Sequence, residues 1–152
     1  MRRTIVAGVA GGTLAASLIV WAVQSNADDG KAAMTLDLHQ TAERIVDQAP
    51  AGDSPGDMAV LAGEMQRDGK PAGQYQGYCI YITSGANSQC TFTLALADGQ
   101  LVLSTGYGAF NGDTPPSRDP IVGGSGAYST ARGYAAGEES DEGIRYRVHL
   151  RK

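Results

Sequence analysis

Two cysteines, two histidines, a few carboxylates, seven tyrosines and one dense glycine cluster are the groups in this chain whose types and spacing invite a chemical reading. The cluster runs Pro120-Ile121-Val122-Gly123-Gly124-Ser125-Gly126-Ala127-Tyr128 and on to Ala131-Arg132-Gly133. Three glycines within four residues mark backbone that packs closely or turns where a Cβ would clash. A phosphate-cradling loop would need Gly-x-Gly-x-x-Gly, and Ser129 stands where the third glycine belongs. No Gly-Lys-Ser/Thr follows, and no segment of helical period leaves the cluster. The cluster therefore reads as a kinked strand junction.

Asp37 and His39 sit two residues apart in the alternating run Met34-Thr35-Leu36-Asp37-Leu38-His39. Turned inward, they would give a carboxylate and an imidazole for acid–base work in a dry cavity. Turned outward, they form a polar face with Met34, Leu36 and Leu38 in the core. Arg132 has the same two readings, since an inward guanidinium needs a partner such as Asp37 or a ligand carboxylate. Tyr81 shares a strand face with Cys79, and a tyrosine offers a pocket apolar area with one polar tip. The acidic stretch 138–142 lacks calcium-loop spacing, His39 and His149 are too isolated for zinc, and no Gly-x-Ser-x-Gly elbow supports acyl transfer.

Cys79 and Cys90 are the only cysteines. With Ser84 and Gly85 at the centre of a hairpin loop, Ile82 faces Asn87, Tyr81 faces Ser88 and Cys79 faces Cys90. Directly opposite residues on adjacent strands lie within disulfide range. The alternative use of Cys79 is a thiol pointing into a cavity, which a disulfide would preclude.

These groups need elements to hold them. Residues 1–27 read as a signal peptide: Arg2 and Arg3, an uncharged run from Thr4 to Val23, and small residues at Ser25 and Ala27. The apolar run is long enough that an uncleaved membrane anchor is the alternative. Cleavage near Ala27 would leave a secreted chain of about 125 residues, enough for one domain. Its 10 basic residues against 16 acidic give about −6, which argues against nucleic acid and anionic membrane surfaces as partners.

Residues 28–33 form a polar tether and 34–152 the domain. After the strand at 34–39, Gln40–Gln48 is expected as a short helical turn with Ala42, Ile45 and Val46 on one side. Loop residues 49–57 precede strands at 58–65, 72–82, 88–97 and 100–107, with turns at 67–70 and 83–86 and an Asp98-Gly99 hairpin. A loop over 108–120 leads into the glycine cluster, a strand at 130–136 and an acidic turn. In the last strand Ile144, Tyr146, Val148 and Leu150 alternate with Arg145, Arg147, His149 and Arg151. About eight strands and no long helix predict a closed antiparallel barrel or a sandwich. An eight-stranded barrel is just wide enough for packed side chains or one small ligand.

Gly56-Asp57, Gly77-Tyr78-Cys79, Cys90-Thr91-Phe92-Thr93-Leu94, Asp98-Gly99-Gln100-Leu101 and the glycine cluster with Ala131-Arg132-Gly133 resemble the allene oxide cyclase and dirigent superfamily. They are most similar to its secreted bacterial branch, the allene oxide cyclase barrel-like proteins, over about Met34 to Leu150. The resemblance implies an all-β, eight-stranded antiparallel barrel, commonly a homotrimer, that holds an apolar small molecule and uses no metal or organic cofactor. Cyclases fold a reactive allene oxide into one product, and dirigent proteins orient phenoxy radicals. Cys79 matches the cavity cysteine of the cyclases, Asp37 is nearest their first-strand acid, and Arg132 matches the Ala-Arg-Gly arginine. Cys90 is the departure, because a bridge to it would remove Cys79 from any cyclase role.

The expectation is a secreted barrel that binds a hydrophobic small molecule and steers its cyclisation or isomerisation without a cofactor. Asp37 and Arg132 would polarise the ligand, and His39, Tyr81 and Phe92 would line the pocket. No stable membrane association is expected after cleavage. The alternative is a non-catalytic binding or scaffold protein whose barrel is plugged by Phe92, Leu94, Leu96 and Ile144.

Overall fold

The computed structural model describes residues 33–48, 50–83, 87–107, 117–140 and 143–151. The expected signal peptide, most of the tether, residues 84–86 and 141–142 of two expected turns and residues 108–116 of the expected 108–120 loop lie outside the described residues, while 117–120 and 138–140 are strand. Eight strands follow one another: β1 (Met34–Val46), β2 (Met58–Arg67), β3 (Lys70–Thr83), β4 (Asn87–Leu96), β5 (Gly99–Tyr107), β6 (Ser117–Gly126), β7 (Arg132–Ser140) and β8 (Gly143–Arg151). Each pairs antiparallel with its sequence neighbour, and β1 pairs with β8 from Met34↔Val148 to Leu38↔Ile144, so the sheet closes into a barrel.

Alternation decides which face looks inward. On β1, Met34, Leu36 and Leu38 are buried and Thr35, Asp37 and His39 alternate with them. Met65, Tyr75, Leu94, Leu101, Leu103, Ile121, Ala135, Tyr146 and Val148 join them in one core cluster inside the barrel. Each fully buried leucine contributes about 1.5–3 kcal/mol relative to exposure. The β8 expectation holds at Tyr146 and Val148. Ile144 is 45% exposed and does not plug the centre.

Residues 40–46 form strand, not a helical turn. A bulge between Gln40 and Ala42 lets β1 continue, pairing Ala42↔Ala62 through Val46↔Met58. The spacing of Ala42, Ile45 and Val46 suits a helix, but β2 offers a full ladder of backbone partners, and tertiary pairing overrides a weak local preference. The 67–70 turn is as expected, with Asp68 and Gly69 at φ +53° and +71°, the two positive values of a tight hairpin.

The β4–β5 hairpin is displaced by one residue from the expected Asp98-Gly99 turn. Leu96 pairs with Gly99, so Ala97 and Asp98 make the turn. Gly99 is required for another reason: a Cβ there would come within 2.2 Å of the Ser125 carbonyl oxygen. The glycine cluster is likewise part of a strand, with a register shift opposite Val102/Leu103. A Cβ on Gly124 would meet the Tyr128 and Gln100 carbonyls at 2.4 and 2.5 Å. The missing side chains thus let residues 127–130 fold back over this end of the barrel, where the Ala127 N–H donates to the Asp98 carbonyl at 2.9 Å.

Candidate functional site at the mouth of the barrel

The two ends of the lumen differ. Leu36, Met65, Leu94, Leu101 and Val148 fill the half towards the 97–98 and 127–130 turns, none more than 1% exposed. At the opposite end, register puts Ile45 on the face of Ala59 and Ile144 on the face of Leu38, both lumen-facing. They are nevertheless 54% and 45% exposed. An inward face that meets solvent is a mouth, and apolar side chains rim it.

One buried polar pair lies just below. On β8 the lumen-facing residue after Ile144 is Tyr146, 3% exposed, and its hydroxyl donates to Asp119 Oδ2 at 2.5 Å. Asp119 is fully buried on β6, two residues before the core residue Ile121. Thr105, also buried, lies two residues past Leu103, the last β5 residue paired with β6 and the partner of Ile121. A carboxyl group from β6 and a phenol from β8, the two strands that flank β7, are therefore held together in a dry place. Such a pair can donate to or accept from a ligand oxygen or nitrogen, and burial strengthens each such contact.

The Cys79–Cys90 disulfide forms the wall on the β3–β4 side. Tyr81↔Ser88 and Cys79↔Cys90 pair as expected, while Asn87 faces Thr83 and not Ile82, because a bulge falls between Tyr81 and Thr83. Cys79 is not a thiol. Tyr81, on the Cys79 face, is half-buried near the mouth, and Phe92 packs against the core with its ring over Gly77. The loop before β2 is tied to this wall: Gly56 N–H donates to the Tyr81 carbonyl and Tyr81 N–H to the Asp57 carbonyl, each at 2.8 Å. Asp57 Oδ1 accepts from the Gln48 N–H and Oδ2 from the Ser54 N–H, also at 2.8 Å. These donors, Gln48 first, hold its carboxyl below the ordinary carboxylate range.

The other expected site residues do not reach the lumen. Asp37 lies on the outer face, where its Oδ1 accepts from Arg145 Nε at 2.6 Å. His39 follows on that face, opposite Glu64. Arg132 is exposed on the outer face of β7, with Nη1 donating to the Ala131 carbonyl at 2.7 Å. The cause is competition for the inward face: Met34, Leu36 and Leu38 win it on β1, and Gly133 and Ala135 hold it on β7. Of the five expected ligand-contacting residues, Tyr81 and Phe92 face the lumen, and Asp37, His39 and Arg132 face out.

Asp119 and Tyr146 were missed. Asp119 is followed by Pro120, which reads as loop, yet Pro120 lies beyond the β5–β6 ladder, where its missing N–H costs no bond to β5. Tyr146 was legible as a core position, but its hydrogen-bond partner is 27 residues away and on another strand. Among the described residues, no three His, Cys, Asp or Glu side chains gather in a metal-binding group. Two grooves mark the outer face of β2–β5, one of about 380 Å³ along Met58, Val60 and Tyr78 and one of about 240 Å³ along Glu64, Gln74 and Gln100.

No protein-family profile and no curated protein sequence matches the chain. Among solved structures, pyocyanin demethylase is similar, with a TM-score of 0.67 and 24% sequence identity over 78% of this chain and 98% of that one. At that identity the likeness is one of fold.

Proposed function

We propose that this protein binds an apolar small molecule at the mouth of its barrel and steers an isomerisation or cyclisation there. The observation that carries the reading is the buried Asp119–Tyr146 pair directly beneath an exposed apolar rim. A ligand seated between Ile45, Tyr81 and Ile144 would be held in one shape, and restriction of this kind removes much of the entropy of reaching a transition state. The Tyr146 hydroxyl would turn from Asp119 to the ligand, pass its one proton to a ligand oxygen or nitrogen, recover one from the rearranged product, and donate to Asp119 again. The proton account closes without an outside oxidant or reductant. The similar barrel is, by its name, a demethylase of pyocyanin, which supports a small organic ligand in a barrel of this shape.

The finer expectations belong with this reading. The resemblance to allene oxide cyclase barrel-like proteins favours cyclisation and a homotrimer. Secretion after cleavage near Ala27 suits the Cys79–Cys90 bridge, because disulfides persist in oxidising compartments. A second reading, a non-catalytic binding protein, is favoured by the filled half of the lumen.

Titration with an apolar fluorescent probe tests the mouth. Saturable binding at one probe per chain is expected, weakened about tenfold by Ile144→Asp at the rim, since a charge must be desolvated there. Val122→Asp, on the exposed outer face, should leave it unchanged. Equal losses from both variants, or no saturable binding, would end the mouth reading. Conversion of a bound ligand that survives Tyr146→Phe would remove Tyr146 from the chemistry, and saturable binding with no conversion of any ligand would favour the non-catalytic reading.

A further inference from the structure

The outer face of β7 and β8 is a second place where charge is organised. Its cross-strand pairs run Glu138↔Arg145, Ala136↔Arg147, Tyr134↔His149 and Arg132↔Arg151. The upper charges are matched: Arg147 Nη2 donates to Glu138 Oε1 at 2.5 Å, and Arg145 pairs with Asp37. In the middle, the Tyr134 and His149 rings stack at 4.6 Å with planes 13° apart, and the Arg118 guanidinium lies 5.2 Å from the Tyr134 centroid. The lowest pair differs from the rest. Arg132 and Arg151 are both exposed and directly opposite, and among the described residues neither meets a carboxylate.

Like charges placed directly opposite on a sheet repel. Elsewhere on this face each arginine of β8 is answered by an acid, so the unanswered pair is a local exception in a chain of net charge −4. We propose that Arg132 and Arg151 form a binding site for a compact oxyanion, a phosphate or a phosphate-bearing headgroup, that bridges the two guanidinium groups. Guanidinium forks match phosphate oxygens in bidentate geometry. The neighbouring Tyr134–His149 stack, with Arg118 on the tyrosine, stiffens the strand pair beside it and adds positive potential. The acidic chain as a whole opposes a long polyanion, which restricts the site to a small group.

The test is thermal unfolding of the full chain in sodium phosphate against sodium chloride at equal ionic strength. Phosphate should raise the wild-type melting temperature by a few degrees in a saturable way. Arg132→Gln and Arg151→Gln should each lose that shift while melting in chloride at or above the wild-type temperature, because the repulsion is gone. Arg151→Glu, which gives Arg132 an acid to face, should be more stable in chloride and blind to phosphate. Vesicles bearing phosphatidic acid separate the two sources of the group: sedimentation with them that free phosphate competes away identifies a headgroup, and phosphate binding without sedimentation identifies a soluble ligand. A wild-type chain that responds equally to phosphate and chloride overturns the proposal. So do glutamine variants that keep the shift, or vesicle binding that phosphate cannot displace.

Discussion

Replacing Tyr146 with Phe keeps the ring in the core and removes only the hydroxyl that donates to Asp119 at 2.5 Å. Both residues are at most 3% exposed, so water cannot take the hydroxyl's place without the core opening. Losing one hydrogen bond to a buried carboxyl group costs about 1–3 kcal/mol. For a domain of this size that is roughly 4 °C of melting temperature per kcal/mol, so about 4–12 °C. Asp119→Asn keeps an acceptor oxygen and should cost less. If the two groups act on each other, the double variant will be more stable than the sum of the single losses predicts, by about 1 kcal/mol or more. Denaturant unfolding monitored by circular dichroism gives all four free energies. The exposed Arg145–Asp37 ion pair is the internal control: Asp37→Asn should change stability by no more than about 1 kcal/mol, as solvent screens it. A Tyr146→Phe loss under about 0.5 kcal/mol, or strict additivity with Asp119→Asn, would refute the claim that this pair is a buried, coupled unit.

Three further outcomes follow from other parts of the barrel. Replacing both Cys79 and Cys90 with Ala should cost about 2–4 kcal/mol, since the bridge closes a short loop in the unfolded chain, and a reductant should lower the wild-type melting temperature but not the variant's. Gly77→Ala should destabilise by about 1–3 kcal/mol or more, because a Cβ there would lie 2.3 Å from the Phe92 ring and 2.4 Å from the Thr91 carbonyl; equal urea midpoints would contradict this. Asp57 is held below its ordinary range, so its contribution to stability is complete above about pH 4, the unfolded value, and fades as pH falls through the folded value. The protection factor of the Tyr81 amide, the intrinsic exchange rate at a given pH divided by the observed one, should therefore fall on acidification in the wild type, and Asp57→Asn should remove that fall.

Some of this was legible in the chain. The alternation from Arg145 to Arg151 gave the inward face of β8 because one side is wholly apolar and the other wholly basic or imidazole. The cysteine pairing followed from counting outward from one hairpin, and the bulge between Tyr81 and Thr83 did not disturb it, since it lies nearer the turn. The site was harder to read. Asp37 and Leu36 compete for one lumen position, and a local pattern states only that they differ, while burial chooses the leucine. Residues 40–46 carry no strand signal of their own; β2 supplies it. Asp119 and Tyr146 meet only after β6, β7 and β8 have taken their places, so no spacing along the chain announces them.

The seam between β1 and β8 joins the first and last strands described, and Asp37 meets Arg145 across 108 residues of chain. Until β8 arrives, seven strands can at most make an open sheet with two raw edges. Topologies that wait for such distant contacts fold slowly and expose their edges meanwhile. A barrel of this design cannot close before β8 is in place, so any species that lacks it keeps the free edges of β1 and β7 open to other chains. The same dependence makes loss of the nine residues of β8 a route to edge-to-edge aggregation instead of a milder loss of stability.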